Sequence, residues 1–211
     1  MPGLIHGLDP DVIRRNLERV RERAGSEVEI LAATKYVPEE EMGALRAAGV
    51  ALVGENRLQD MERKQGRWGD AFEWDFIGNL QSRKVKDVLP RVRLIHSVAT
   101  DSALRQLERH GSPDTRVLVE VNVAGEGSKG GVAPGELAGF IARCPVTVSG
   151  LMTMPPFTED PARSRPYFAR LAELAAEHGL TVLSMGTSQD WEVALEEGAT
   201  LLRLGTTLYA P

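Results

Sequence analysis

Val28-Glu29-Ile30-Leu31-Ala32-Ala33-Thr34-Lys35, followed by Tyr36-Val37-Pro38, is the stretch that decides how this chain folds. The near-continuous apolar run reads as a buried strand. Pro38 and Glu39-Glu40-Glu41 then open a helix, whose first turn favours acidic residues because of the helix dipole. Gly49 ends that helix. A strand apolar on both faces that feeds a helix is the mark of a parallel sheet covered by crossovers. The lysine at the carboxyl end of this strand is oddly placed. Partial burial there would disfavour the ammonium form and leave the neutral amine that imine formation with an aldehyde requires. The plainer reading is a lysine that snorkels past the strand end into water.

The same alternation runs along the whole chain. A first helix over 9–24 places Ile13, Leu17, Val20 and Ala24 at helical spacing, with Asp9 as cap before Pro10. After the strand ending at Lys35, further strands are predicted at Ala51–Asn56, Glu73–Gly78, Arg93–Ala99, Arg116–Val123, Thr147–Met154, Leu180–Gly186 and Thr200–Gly205. Helices are predicted near 58–66, 80–88, 101–110, 134–143, 161–178 and 189–197. Eight strands separated by helices predict an α/β fold, a single (β/α)8 TIM barrel spanning 1–211, with an open doubly wound sheet as the alternative.

Composition narrows the function classes. The 211 residues, 42% hydrophobic and 26% charged, suit one globular core. A net charge of −5 argues against a nucleic-acid surface. No apolar run approaches a membrane span, and Met1-Pro2-Gly3-Leu4-Ile5-His6 lacks a signal-peptide pattern, so a cytoplasmic protein is expected. One cysteine, Cys144, fits a reducing compartment, and four scattered histidines offer no zinc-type cluster.

In such a barrel the carboxyl ends of all strands share one rim, and chemistry belongs there. Strand seven ends in Ser184-Met185-Gly186-Thr187-Ser188, where Ser188 could cap the following helix and leave its amides for a phosphate dianion. Strand eight ends in Arg203-Leu204-Gly205-Thr206. Loops after strands seven and eight are the customary phosphate grip of these barrels. Arg203 shares a strand face with Leu201 and Gly205, so a guanidinium points inward if that face lines the barrel. An amine, a phosphate grip and an inward arginine suit a phosphorylated aldehyde.

Nine segments then carry a resemblance that runs essentially end to end. They are Ala33-Thr34-Lys35, Val53-Gly54-Glu55-Asn56-Arg57, Trp74 through Lys84, Ile95-His96-Ser97-Val98, Val121-Asn122-Val123, Ser128-Lys129-Gly130-Gly131, Gly150-Leu151-Met152, Leu183-Ser184-Met185-Gly186 and Arg203-Leu204-Gly205-Thr206. In this order they resemble the pyridoxal 5′-phosphate homeostasis protein family, whose fold is like the N-terminal barrel of alanine racemase. The resemblance implies that Lys35 carries pyridoxal 5′-phosphate as an aldimine, with Asn56 beside the cofactor and Met185 lining the pocket. It implies that Ser188, Gly205 and Thr206 hold the phosphate and that Arg203 faces the pyridine nitrogen. Family members usually carry histidine where this chain has Asn79 and often methionine at Thr187, so no role for a histidine at 79 transfers.

An arginine at the pyridine nitrogen would keep it unprotonated and make the ring a poor electron sink. The resemblance therefore implies a carrier that maintains the vitamin B6 pool without robust catalysis, with pyridoxal-phosphate-dependent apoenzymes as recipients, and a compact monomer is expected. A single-domain amino-acid racemase is the alternative. It needs a second base, which similar racemases supply as a tyrosine from another domain; here Tyr36 is expected to point to the strand face opposite Lys35, Tyr167 falls within a helix, and the pattern gives Tyr209 no place. A Schiff-base aldolase acting on a sugar phosphate shares the barrel, the lysine and the phosphate grip, but predicts a colourless protein.

Overall fold

The computed structural model describes residues 3–125 and 130–211, so Ser128 and Lys129 of the family-like segments lie outside the described residues. The eight strands are β1 (Glu29–Ala33), β2 (Leu52–Glu55), β3 (Glu73–Phe76), β4 (Leu94–Val98), β5 (Arg116–Glu120), β6 (Thr147–Met152), β7 (Val182–Thr187) and β8 (Leu201–Leu204). Each pairs in parallel with the next, and β8 returns to β1, which closes the barrel and excludes the open sheet. The helices are α1 (Pro10–Ala24), α2 (Met42–Ala47), α3 (Leu58–Trp68), α4 (Val85–Val88), α5 (Asp101–His110), α6 (Leu137–Ala142), α7 (Arg165–Glu177), α8 (Trp191–Glu196) and α9 (Thr206–Tyr209). None of the described helices is long and apolar enough to cross a membrane.

Local chemistry explains the boundaries. Asp9 Oδ1 accepts from Asp11 N at 2.8 Å and Pro10 takes the first helical position, so α1 starts as its sequence predicts. Gly49 ends the α2 segment at φ +84°. The strand predicted to reach Lys35 stops at Ala33, because the chain turns there and Val37 N donates to Thr34 O at 2.8 Å. Residues 80–91 are broken into short 3-10 turns around α4. The four-residue α9, absent from the sequence reading, follows Gly205 directly.

Alternation along the strands sorts the side chains into two cores. Leu31, Leu52, Leu94, Leu118, Met152 and Leu201 point inward and plug the barrel. Their neighbours, among them Ala32, Val53, Trp74, Phe76, Ile95, Val117, Leu183 and Leu202, point outward against the helices. Burial of each such side chain contributes roughly 1.5–3 kcal/mol. Strands β3 and β7 place no fully buried apolar side chain in the inner plug, and β7 adds only the partly buried Val182 at its start. Their inward positions hold Asp75 and Ser184, both buried, so the plug is interrupted by polar groups.

Candidate functional site

The lysine turn sits at the carboxyl rim. Thr34 is buried and turns its hydroxyl outward, donating to Gly54 O at 3.2 Å and Glu55 Oε1 at 2.7 Å. Lys35, one residue on, stands in the turn that follows the carboxyl end of β1. Its side chain is exposed, which corrects the expectation of partial burial: the strand has already ended, and the turn stands at an open rim. The same turn corrects Tyr36. Once the strand ends its alternation no longer separates the two side chains, and Lys35 Nζ lies 5.1 Å from the Tyr36 ring centroid, a cation–π distance.

The phosphate-type residues converge from β7 and β8, but not as expected. Ser188 does not cap α8; that position belongs to Asp190, which accepts from Thr187 N at 2.8 Å and from Ser164 Oγ at 2.9 Å. Ser188 Oγ instead accepts from Gly205 N and Thr207 N, each at 3.0 Å. Two backbone N–H groups at the start of α9 thus aim at one oxygen, the donor set an anion requires. Thr206 stands exposed beside them. A Cβ built on Gly205 would lie 3.9 Å from Ala33 O, so this turn adjoins the lysine turn.

Met185 departs from its expected role. It is fully buried among the outward side chains, since β7 presents Ser184 to the interior and Met185 to the helices. Gly186 also faces the helices, at φ +87°, with space so tight that a Cβ would meet Ala194 Cβ at 2.6 Å. The pairing with β8 shifts register between Ser184 and Thr187, and this irregularity carries the chain to Ser188 at the rim. Asn56 follows β2, half-buried. The loop after β3 rests on its backbone, where a Cβ on Gly78 would stand 2.1 Å from Asn56 O.

Arg203 is buried inside the barrel, as the strand parity predicted. Its Nη1 donates to Ser184 O and Ser184 Oγ, both at 2.6 Å, and its Nη2 to Thr153 O at 2.9 Å and Met154 Sδ at 3.0 Å. Burial pushes the guanidinium down to about 10, with Asp190 and Glu120 opposing, so it stays cationic at neutral pH. Glu120 faces it across the mouth, and burial raises that carboxyl while the Arg203 charge opposes. Below Arg203 the polar chain continues. Ser184 Oγ lies 2.9 Å from His96 Nδ1, and His96 Nε2 lies 3.1 Å from Asp75 Oδ2. Arg93 then holds both Asp75 oxygens at 3.1 and 2.9 Å and reaches Glu29 at the opposite rim. Sequence reasoning assigned no role to Ser184, His96 or Asp75. Their signal was present as a single polar residue flanked by apolar neighbours in Trp74-Asp75-Phe76, Ile95-His96 and Leu183-Ser184-Met185.

A second buried group braces the lysine turn from outside. Lys64, on the inner face of α3 with Leu58 and Met61, donates to Thr34 O at 2.8 Å and pairs with Glu55. Tyr209 OH donates to Ala33 O at 3.1 Å, which ties α9 to the same turn. Burial raises the Tyr209 phenol, with the Glu55 charge adding, so it is no base at neutral pH.

Comparison with known proteins agrees with this geometry. The model of the alanine racemase N-terminal domain family matches residues 8–211. A pyridoxal phosphate homeostasis protein of Aquifex aeolicus is 42% identical, over 93% of this chain and 95% of its own length. The structure of PipY from Synechococcus elongatus, solved with pyridoxal phosphate bound, superposes with a TM-score of 0.82 at 30% identity, covering 94% of this chain and 100% of that one. Alanine racemase from Corynebacterium glutamicum, at 19% identity and a TM-score of 0.76, shares the fold over 99% of this chain and 63% of its own. With a closed barrel and relatives matched nearly end to end, the chain belongs to the pyridoxal phosphate homeostasis protein family.

Proposed function

We propose that this protein binds pyridoxal 5′-phosphate at the barrel mouth, with Lys35 as its covalent point of attachment, and buffers the cofactor pool rather than turning over a substrate. One juxtaposition carries the reading. Strand β8 pairs with β1 so that Arg203 lies opposite Leu31, and Gly205 adjoins Ala33. An amine, a cation and an anion-ready turn therefore stand on two neighbouring strands. The residues fit the group: the N–H pair of Gly205 and Thr207, with Ser188 and Thr206, would hold its phosphate, Arg203 would face its ring nitrogen, and Asn56 would flank it. Bound pyridoxal phosphate supplies an aldehyde that an amine captures reversibly. An exposed lysine suits exchange of that cofactor with recipient apoenzymes.

Two features support the absence of robust catalysis. A permanently charged donor opposite the ring nitrogen disfavours its protonation. Neither tyrosine near the lysine turn is presented as a second base, since Tyr209 gives its proton to Ala33 O and Tyr36 packs its ring face toward Lys35. The protein acts, in this reading, as a cytosolic monomer.

The test is a titration of purified protein with pyridoxal phosphate, followed by borohydride reduction and peptide mapping. The wild type gains visible absorbance and the cofactor's mass on the peptide containing Lys35. Lys35→Ala loses both while keeping its circular dichroism. Label on a different lysine in the wild type would overturn the assignment.

A further inference from the structure

The interior of the barrel holds a hydrogen-bonded line that the cofactor reading leaves unexplained. From Arg203 it passes through Ser184, His96 and Asp75 to Arg93, and only the last is partly exposed. One matching of donors and acceptors leaves every proton along it with a partner. Asp75, held by Arg93 and His96, is the acceptor at the far end. Burial works to raise its carboxyl, but hydrogen bonds from His96 and Arg93 outweigh this and hold it below the ordinary value. His96 Nε2 must then carry a proton. At the near end Arg203 can only donate, so Ser184 Oγ accepts from Nη1 and its own proton is free to go to His96 Nδ1. The imidazole is therefore neutral, protonated on Nε2 alone. A charged imidazolium would turn a second donor onto the serine oxygen that already accepts from a guanidinium, and the serine proton would lose its acceptor in the line. It would also lie between two arginines, Arg203 and Arg93, with Asp75 the carboxylate in contact with the ring.

We propose that Asp75, His96 and Ser184 are positioning residues for Arg203, ordering their protons so that Ser184 Oγ remains an acceptor and the guanidinium is held toward the mouth. The direction is visible in Nη2, which reaches Thr153 O and Met154 Sδ beyond the end of β6. Glu120 and Asp190 are the other charges that act on Arg203. Without the serine hydroxyl the guanidinium keeps the carbonyls of residues 184 and 153, and one bond fewer opposes the pull of Glu120. The consequence for the cofactor, a ring nitrogen kept unprotonated, rests on the proposed function. The ordering of the chain does not.

Nitrogen NMR of His96 in the cofactor-free protein tests the ordering directly. The expected result is a neutral ring with the proton on Nε2 at pH 7 and still at pH 6.5, where an ordinary histidine is half charged. An imidazolium, or a proton on Nδ1, would overturn the proposal. Three variants test the positioning. In His96→Gln the side-chain amide can donate to Asp75 and its oxygen can accept from Ser184, reproducing the neutral tautomer's polarity. It should keep wild-type cofactor affinity and the wild-type pH profile of the bound chromophore. Ser184→Ala and His96→Phe should bind about tenfold more weakly, the loss of one charge-assisted hydrogen bond. Their chromophore should gain a proton at higher pH than in wild type, with circular dichroism unchanged. A role for charge at 96 would make Gln as damaging as Phe, and a purely structural role would leave the pH profile unmoved; either result sinks the proposal. Exchange of the Arg203 guanidinium protons with solvent, slow in wild type and about tenfold faster in Ser184→Ala, reads the same positioning without cofactor. A wild type that shows the tautomer and slow exchange but takes up no pyridoxal phosphate would refute the proposed function and leave this chain standing.

Discussion

Replacing Lys64 by methionine should cost this protein about 3–5 kcal/mol at pH 7, the usual penalty for breaking a buried ion pair. The structure explains why the loss is large. The Lys64 and Glu55 side chains are 2% and 0% exposed, so water cannot take the place of the missing ammonium. Glu55 Oε2 already has no hydrogen-bond partner among the described residues, and Oε1 would keep only Thr34 Oγ1. Thr34 O would lose its Nζ donor as well. Urea midpoints at pH 7 measure the loss. Lys64→Met combined with Glu55→Leu removes both charges, and Thr34 Oγ1 can still donate to Gly54 O. That double variant should return to within about 1 kcal/mol of wild type or exceed it. A single variant within about 1 kcal/mol of wild type at pH 7 would refute the account of a dry, obligate pair.

Ser188→Ala removes the oxygen on which two N–H groups converge, and Thr206→Val removes a neighbouring hydroxyl. At roughly 1.5–3 kcal/mol per charge-assisted bond, each should weaken pyridoxal phosphate binding about tenfold or more. Unphosphorylated pyridoxal should be little affected, and equal losses in a calorimetric titration would place the phosphate elsewhere. Burial holds the His96 imidazole below its ordinary value of 6.5, Arg203 and Arg93 adding and Asp75 opposing, so the unfolded chain binds more protons in acid. Stability from this group is complete above 6.5 and falls as pH drops toward the folded value, by at most about 1.4 kcal/mol per unit. His96→Gln should lack that slope in a series of urea unfolding curves, and an identical slope would show that another group is responsible. Gly186→Ala forces a side chain into φ +87° and against Ala194. Its expected cost is about 2–4 kcal/mol, from backbone strain and overpacking together, and a midpoint unchanged from wild type would contradict the tight β7–α8 packing.

The barrel was legible because period and punctuation are local properties. Ala32-Ala33, Val53-Gly54 and Leu202-Arg203-Leu204 declare strands without reference to any partner, and Asp9-Pro10 marks a helix start through its own hydrogen bond. Parity along β8 was enough to send Arg203 inward. Met185 was misread because a motif groups residues by adjacency, whereas a strand sends adjacent side chains to opposite faces. Ser188 was misread because its partners, Gly205 N and Thr207 N, come from the next strand end and not from the helix that follows it.

By itself, then, the sequence determined the eight strands, their order and the strand ends that share the carboxyl rim, since propensity, capping and alternation act over a few residues. It also determined the donor types available there: an amine, a guanidinium and glycine turns. Only the tertiary structure decided that Asp75, His96, Ser184 and Arg203 join into one line, because 21, 88 and 19 positions separate the successive pairs. Only it decided that Lys64 clamps a turn 30 residues away. Such contacts exist because the barrel closes β8 on β1 and removes water from its interior, and a buried polar group must then find its partner wherever the fold brings one.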